Sequence, residues 1–129
     1  MSAMSLALHQ SPPREDLFLP NMEEHYWILR ILGYPPLEGN GQSCGEHTDY
    51  GCVVLLLADE TKGALHVQRR DGKWFDADPM NGAYVVNIGD MMEGWTNGLW
   101  KSTRHRVIHK GSGCRVSVPF FLEPDWYSR

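Results

Sequence analysis

The chain has 129 residues, the size of one domain with room for a single modest core. Its 42% hydrophobic and 22% charged residues, net charge of -4 and pI near 5.8 are those of an ordinary globular protein. They exclude a strongly basic nucleic-acid surface or an anionic-membrane binder as its main role. No run approaches the ~18 consecutive apolar residues of a membrane span, and three irregularly spaced cysteines (Cys44, Cys52, Cys114) predict free thiols in a reducing, cytoplasmic compartment.

In chain order, residues 1–8 lack a basic n-region and are too short for a signal peptide. Residues 1–9 read as the end of a helix, which Ser11-Pro12-Pro13 breaks, and residues 15–19 as a short turn before Pro20. The opening 1–22 is expected to be the remnant of a larger helical region, 23–124 a β domain and 125–129 a tail. Residues 25–34, HYWILRILGY, are rich in aromatic and β-branched side chains and predict a strand stopped by Pro35-Pro36. After a loop at 39–42, residues 46–58 predict a second strand, nearly continuous in apolar residues beyond Gly51 and therefore buried on both faces. Residues 64–69 and 73–77 flank Asp71-Gly72, a two-residue hairpin signal. Further strands are predicted at 83–88, 102–109 and 115–122; residues 91–95 are ambiguous, and no helix is expected after residue 20. Seven or eight short strands divided by Gly, Pro, Asn and Asp predict an all-β sandwich or barrel.

On an extended strand, alternate side chains share a face, so His47 and Asp49 point the same way. A His-x-Asp pair alone is frequent by chance. A third ligand changes its meaning: with His105 it makes a 2-His-1-carboxylate face that leaves about three octahedral positions open, the pattern of non-haem Fe(II) oxygenases. Closed four-ligand zinc is the alternative, and Cys44 with His47 forms a Cys-x-x-His that has no companion Cys pair. His109 is expected to be a surface or second-layer histidine, and His25 and His66 ordinary half-buried ones. Arg115 and Ser117 share a face of the last strand, where a guanidinium and a hydroxyl suit the distal carboxylate of a small dicarboxylate. Val53, Leu55, Val86 and Phe120 are expected among the apolar walls. Trp95, Trp100 and Trp126 suit either the barrel mouth or the core, and Trp126-Tyr127 a cover over an apolar patch.

Five motifs in order carry a resemblance: His47-Thr48-Asp49; Asn87-Ile88-Gly89-Asp90-Met91; Trp95-Thr96-Asn97-Gly98; Ser102 to Val107, STRHRV; and Arg115 to Phe121, RVSVPFF. From about Trp27 to Pro124 the chain resembles the 2-oxoglutarate and Fe(II)-dependent dioxygenases of the isopenicillin N synthase-like group. The resemblance implies a double-stranded β-helix (jelly-roll) core, iron held by His47, Asp49 and His105, and the distal carboxylate of 2-oxoglutarate held by Arg115 and Ser117. Where the family often has Asn-Tyr-Tyr-Pro, this chain has Leu32-Gly33-Tyr34-Pro35, so Tyr34 is the position that would offer a hydroxyl to the co-substrate or substrate carboxylate. Members are usually more than twice as long, which makes this chain a fragment, a truncated gene model or an unusually short protein.

The implied reaction uses O2, with ascorbate as a reductant. It couples decarboxylation of 2-oxoglutarate to succinate with hydroxylation or desaturation of a small organic substrate, and needs no catalytic side chain beyond the metal ligands. Two alternatives stay open: a catalytically silent barrel that binds metal or a small acid, and a related Fe(II) oxidase that does not use 2-oxoglutarate. No nucleic-acid or membrane partner is expected, and neither the substrate's identity nor the oligomeric state is legible.

Overall fold

A computed structural model describes residues 1–8, 10–39 and 41–127; His9 of the expected helix, Asn40 of the expected loop and positions 128–129 of the expected tail lie outside the described residues. The described residues form nine strands: β1 (Tyr26–Leu29), β2 (Leu32–Tyr34), β3 (Cys44–His47), β4 (Val53–Ala58), β5 (Leu65–Gln68), β6 (Trp74–Asp76), β7 (Val85–Ile88), β8 (His105–Val107) and β9 (Arg115–Glu123). They build two antiparallel sheets. The major sheet runs β1-β9-β4-β7 with β2 also on β9, and the minor sheet runs β3-β8-β5-β6. This is the expected all-β jelly roll, with α1 (Ser2–Ala7) and α2 (Asp90–Trp95) outside it.

β9 is the organising strand of the major sheet. On one side Tyr26 faces Glu123 and Tyr34 faces Arg115, and one register runs through both β1 and β2. The single strand expected at 25–34 is therefore one ladder with a gap. The gap lies where Arg30 N–H donates to the Pro119 carbonyl at 3.1 Å, because proline has no N–H to return. On the other side of β9, β4 pairs from Val53 opposite Leu122 to Ala58 opposite Ser117, and β7 lies beyond β4.

Three expectations change. Residues 46–58 are not one strand: β3 belongs to the minor sheet and β4 to the major, and residues 48–52 turn the corner between them. The apolar continuity beyond Gly51 does have the expected cause, since one face of β4 lines the inter-sheet space and the other packs under the outer helices. The Asp71-Gly72 hairpin closes through Arg69 N–H to the Lys73 carbonyl at 2.8 Å. Its loop is thus Arg70-Asp71-Gly72, with Gly72 at φ 81°, where a side chain would be strained. Finally, α2 is a helix where none was expected. Its six residues are too few for a periodic signal, and tertiary contacts supply what propensity does not.

Those contacts start at its N-terminus. The amides of Asp90 and Met91 donate to the carbonyls of Asp49, Tyr50 and Gly51, so the first free N–H groups of α2 fasten the β3–β4 corner. The approach is close. A Cβ on Gly89 would lie 2.1 Å from the Gly51 oxygen, which only glycine permits. Behind the sheet, Phe18, Met22, Cys52, Val53 and Met92 form the buried core. Phe18 stacks on Trp95 at 5.9 Å and meets Trp100 at 6.3 Å, which places both tryptophans behind the barrel rather than at its mouth. Trp126 touches Tyr26 yet stays 78% exposed, so it covers little.

Candidate active site

His47 ends β3 and pairs across from His105, the first residue of β8; their rings lie 4.2 Å apart. Asp49 stands in the corner beyond β3, not on the strand face, yet the turn brings its carboxylate to the same point. His47 Nε2 is 3.8 Å from Asp49 Oδ1, His105 Nε2 is 3.8 Å from Asp49 Oδ2, and one donor atom of each residue falls within 4.8 Å of the others. This is the metal-type cluster among the described residues.

The histidine tautomers follow from their other nitrogens. His47 Nδ1 meets the Gly45 carbonyl at 2.7 Å and His105 Nδ1 meets the Thr103 carbonyl at 3.0 Å. A carbonyl can only accept, so each Nδ1 donates to its carbonyl, which leaves each Nε2, on the Asp49 side, as the nitrogen available to a metal. Asn87, in the otherwise apolar β7, donates from Nδ2 to Asp49 Oδ2 at 2.5 Å. Two imidazoles and one hydrogen-bonded carboxylate suit a divalent transition ion with positions left open.

Other histidines and Cys44 stand apart. Cys44 Sγ lies 3.9 Å from His47 Nδ1, the nitrogen turned away from the cluster, so the Cys-x-x-His zinc reading gains nothing. His109 is neither a surface nor a second-layer residue: it is 3% exposed and its Nε2 donates to the Gly113 carbonyl at 2.6 Å, folding the β8–β9 turn around the ring. His25 is exposed, not half-buried, and its Nδ1 lies 2.7 Å from the Met22 carbonyl; His66 is half-buried beside Asp76.

The cluster opens on a cavity of about 330 Å³ between the sheets. Its apolar walls include Val54, Leu56, Val85 and Phe121. Each lies one position from an expected wall residue; Val53, Leu55, Val86 and Phe120 belong to the opposite face, and Val86 is 55% exposed. Arg115 and Ser117 line the same cavity, each 2% exposed. Arg115 Nε and Nη1 have no partner among the described residues, and its Cζ lies 5.2 Å from the ring centre of Tyr34, which also lines the cavity. A buried guanidinium with unmet donors fits an anionic ligand.

Two groups to which the motif reading gave no role support the corner. Asn87 is one; it opens the motif Asn87-Ile88-Gly89-Asp90-Met91, and its further signal was a lone amide after Val85-Val86. The other is Glu123, 2% exposed and pressed against Gly51, with its carboxyl pushed up to about 6 by burial and by the negative charge of Asp49. Replacing Asn87 by alanine removes the donor that orients Asp49. Metal affinity is expected to fall about 10–100-fold, as read by Mn(II) titration of the purified protein.

The profile of the 2OG-Fe(II) oxygenase superfamily matches residues 14–124. A homoarginine-6-hydroxylase of Glycine max is 39% identical over 134 residues, covering 98% of this chain and 40% of that protein. Among solved structures, the Neurospora crassa protein crystallised with alpha-KG and thymine superposes with a TM-score of 0.83 at 30% identity, over 98% of this chain and 44% of that one. JOX2, crystallised with 2OG, Fe and JA, gives 0.86 at 32% identity, over 97% of this chain and 37% of that one. The chain thus spans about 40% of the curated relative's length. With its profile, its jelly roll and its relatives in agreement, the chain belongs to the 2OG-Fe(II) oxygenase superfamily.

Proposed function

We propose that this chain carries the catalytic core of an isopenicillin N synthase-like, 2-oxoglutarate-dependent Fe(II) dioxygenase acting on a small organic molecule in the cytoplasm. The observation that carries this reading is the pairing of two features in one cavity. A two-histidine, one-carboxylate cluster lies on its wall, together with a buried arginine two of whose nitrogens have no partner among the described residues.

His47 and His105 would hold iron through Nε2 and Asp49 through its carboxylate, with Asn87 fixing the carboxylate's orientation. Bound Fe(II) with 2-oxoglutarate and O2 supplies the oxidising power, and ascorbate keeps the metal reduced. Arg115 binds the distal carboxylate of 2-oxoglutarate with charge-assisted hydrogen bonds, and Ser117, two residues along the same strand face, adds a donor. Tyr34 lies against the Arg115 guanidinium and limits where it can swing. Val54, Leu56 and Phe121 exclude water around the reacting groups. No side chain is needed as a general acid or base. In this reading residues 23–124 are the dioxygenase domain.

Succinate release tests the proposal. The iron-loaded, folded protein is expected to convert 2-oxoglutarate to succinate in an O2-dependent reaction that stops when either iron or 2-oxoglutarate is left out. O2 uptake independent of 2-oxoglutarate, or no turnover from a folded, iron-loaded sample, overturns it.

A further inference from the structure

The ladder of the major sheet sorts the cavity wall into levels. Ile28, Phe121, Val54 and Asn87 are paired across one level, and Asn87 there holds Asp49. Two residues along, Pro119, Leu56 and Val85 form the next level, with Arg30 opposite Pro119. Ser117 and then Arg115 lie further on. On the β1–β2 ladder the alternate residues Ile28, Arg30, Leu32 and Tyr34 face the cavity.

Arg30 is therefore a second guanidinium in the wall. It has no side-chain hydrogen bond or ion pair among the described residues. Its Cζ instead lies 5.6 Å from the ring centre of Phe121, so the guanidinium leans towards the level of Asp49 and away from Arg115. The backbone positions opposite Arg30 and Tyr34, Pro119 and Arg115, are four residues apart. That is roughly 13 Å of strand, too far for both arginines to act as one clamp at one end.

Charge makes the same distinction. Among the described lining residues the fully charged side chains are Asp49, Arg30 and Arg115. Two guanidiniums less one carboxylate leave +1. A divalent metal and a dianionic co-substrate cancel each other, so the filled site keeps one positive charge, and Arg30 is the group without a counterpart. An apolar floor of Ile28, Val54 and Phe121 lies beside it.

We infer that Arg30 is a substrate-specificity residue that selects, as primary substrate, a small organic monocarboxylate with an apolar body. The carboxylate pairs with the Arg30 guanidinium, and the body lies over Phe121 near the metal ligands. The guanidinium's fork and its anchorage on an aromatic face both favour a planar carboxylate over a neutral amide. This inference rests on the reading of the site given under Proposed function.

The test is equilibrium binding to protein loaded with Mn(II) and 2-oxoglutarate, followed calorimetrically without turnover. The 2-oxoglutarate titration comes first. Then phenylacetate, benzoate and hexanoate are each compared with their primary amides. At least one acid is expected to bind 10-fold or more tightly than its amide. Arg30→Gln should reduce that ratio to within about 2-fold, Arg30→Lys should keep most of it, and in both variants 2-oxoglutarate affinity should stay within 2-fold of wild type. No preference for any acid, no binding by any of the three, or a ratio unchanged in Arg30→Gln overturns the inference while leaving 2-oxoglutarate binding intact. A 10-fold loss of 2-oxoglutarate affinity in Arg30→Gln also overturns it, by assigning Arg30 to the co-substrate. Failure of the wild-type protein to bind 2-oxoglutarate overturns the parent reading and this one with it.

Discussion

Asp49→Ala is expected to abolish useful metal binding while leaving the barrel folded. Asp49 is the one anionic member of the cluster; without it, two neutral imidazoles face a dication. The loss should exceed the 10–100-fold ascribed to an outer partner such as Asn87, and about 100-fold is a lower bound. Linkage turns this into a stability measurement. Metal at about 100 times the wild-type Kd stabilises the native state by about 2.7 kcal/mol, and a 100-fold weaker site leaves about 0.4 kcal/mol. Urea melts with and without Mn(II) therefore separate the two proteins. The metal-free melts should differ little, because the corner is held by the Asp49 backbone carbonyl accepting from Asp90 at 2.7 Å, a bond that alanine keeps. A metal-dependent shift in Asp49→Ala equal to that of wild type would show that the ion binds elsewhere.

How far the sequence reaches is best seen in the walls of the cavity. If Arg115 and Ser117 face inward, period-two alternation forces Pro119 and Phe121 inward and Phe120 outward, and this is what the structure has. The parity was available, but the run Val-Pro-Phe-Phe-Leu is apolar on both faces and does not advertise it. The same ambiguity hid the corner at residues 48–52. Cys52 and Val53 are apolar because they pack under Met92 and Phe18, so hydrophobicity alone joined them to the strand before. Residue identity brought out the cluster of His47, Asp49 and His105, which the fold does bring together, because few side chains bind metal and their order is distinctive. The roles of Arg30 and of Asn87, the latter quoted only as part of a motif, were missed for the opposite reason: each is an isolated polar residue in an apolar run, and its meaning comes from strands it meets only after folding.

Arg115 shows what such a site costs the fold. Its guanidinium is 2% exposed, two of its nitrogens have no partner among the described residues, and it lies over the ring of Tyr34. Its charge is felt at Asp59. Burial pushes that carboxyl up, but donors from Val116 and Thr61, with the positive charge of Arg115, more than offset this and hold it below its ordinary value. Desolvating a guanidinium without an ion-pair partner is unfavourable by several kcal/mol, whereas methionine can fill a similar space with flexible apolar atoms. Arg115→Met is therefore expected to raise the stability of the ligand-free protein by about 1–4 kcal/mol. The same change should weaken 2-oxoglutarate binding by about 2–5 kcal/mol, or roughly 30- to 5,000-fold, because the charge-assisted pair is gone. Arg115→Lys keeps the charge without the planar fork and should fall between the two. Urea melts with and without 2-oxoglutarate read both effects at once: the methionine variant starts higher and gains nothing from ligand concentrations that stabilise wild type. A methionine variant that is less stable than wild type and still binds 2-oxoglutarate normally would make Arg115 a structural residue. The opposite signs follow from one fact: burying an unpaired guanidinium is unfavourable, and pairing it with an anion is favourable.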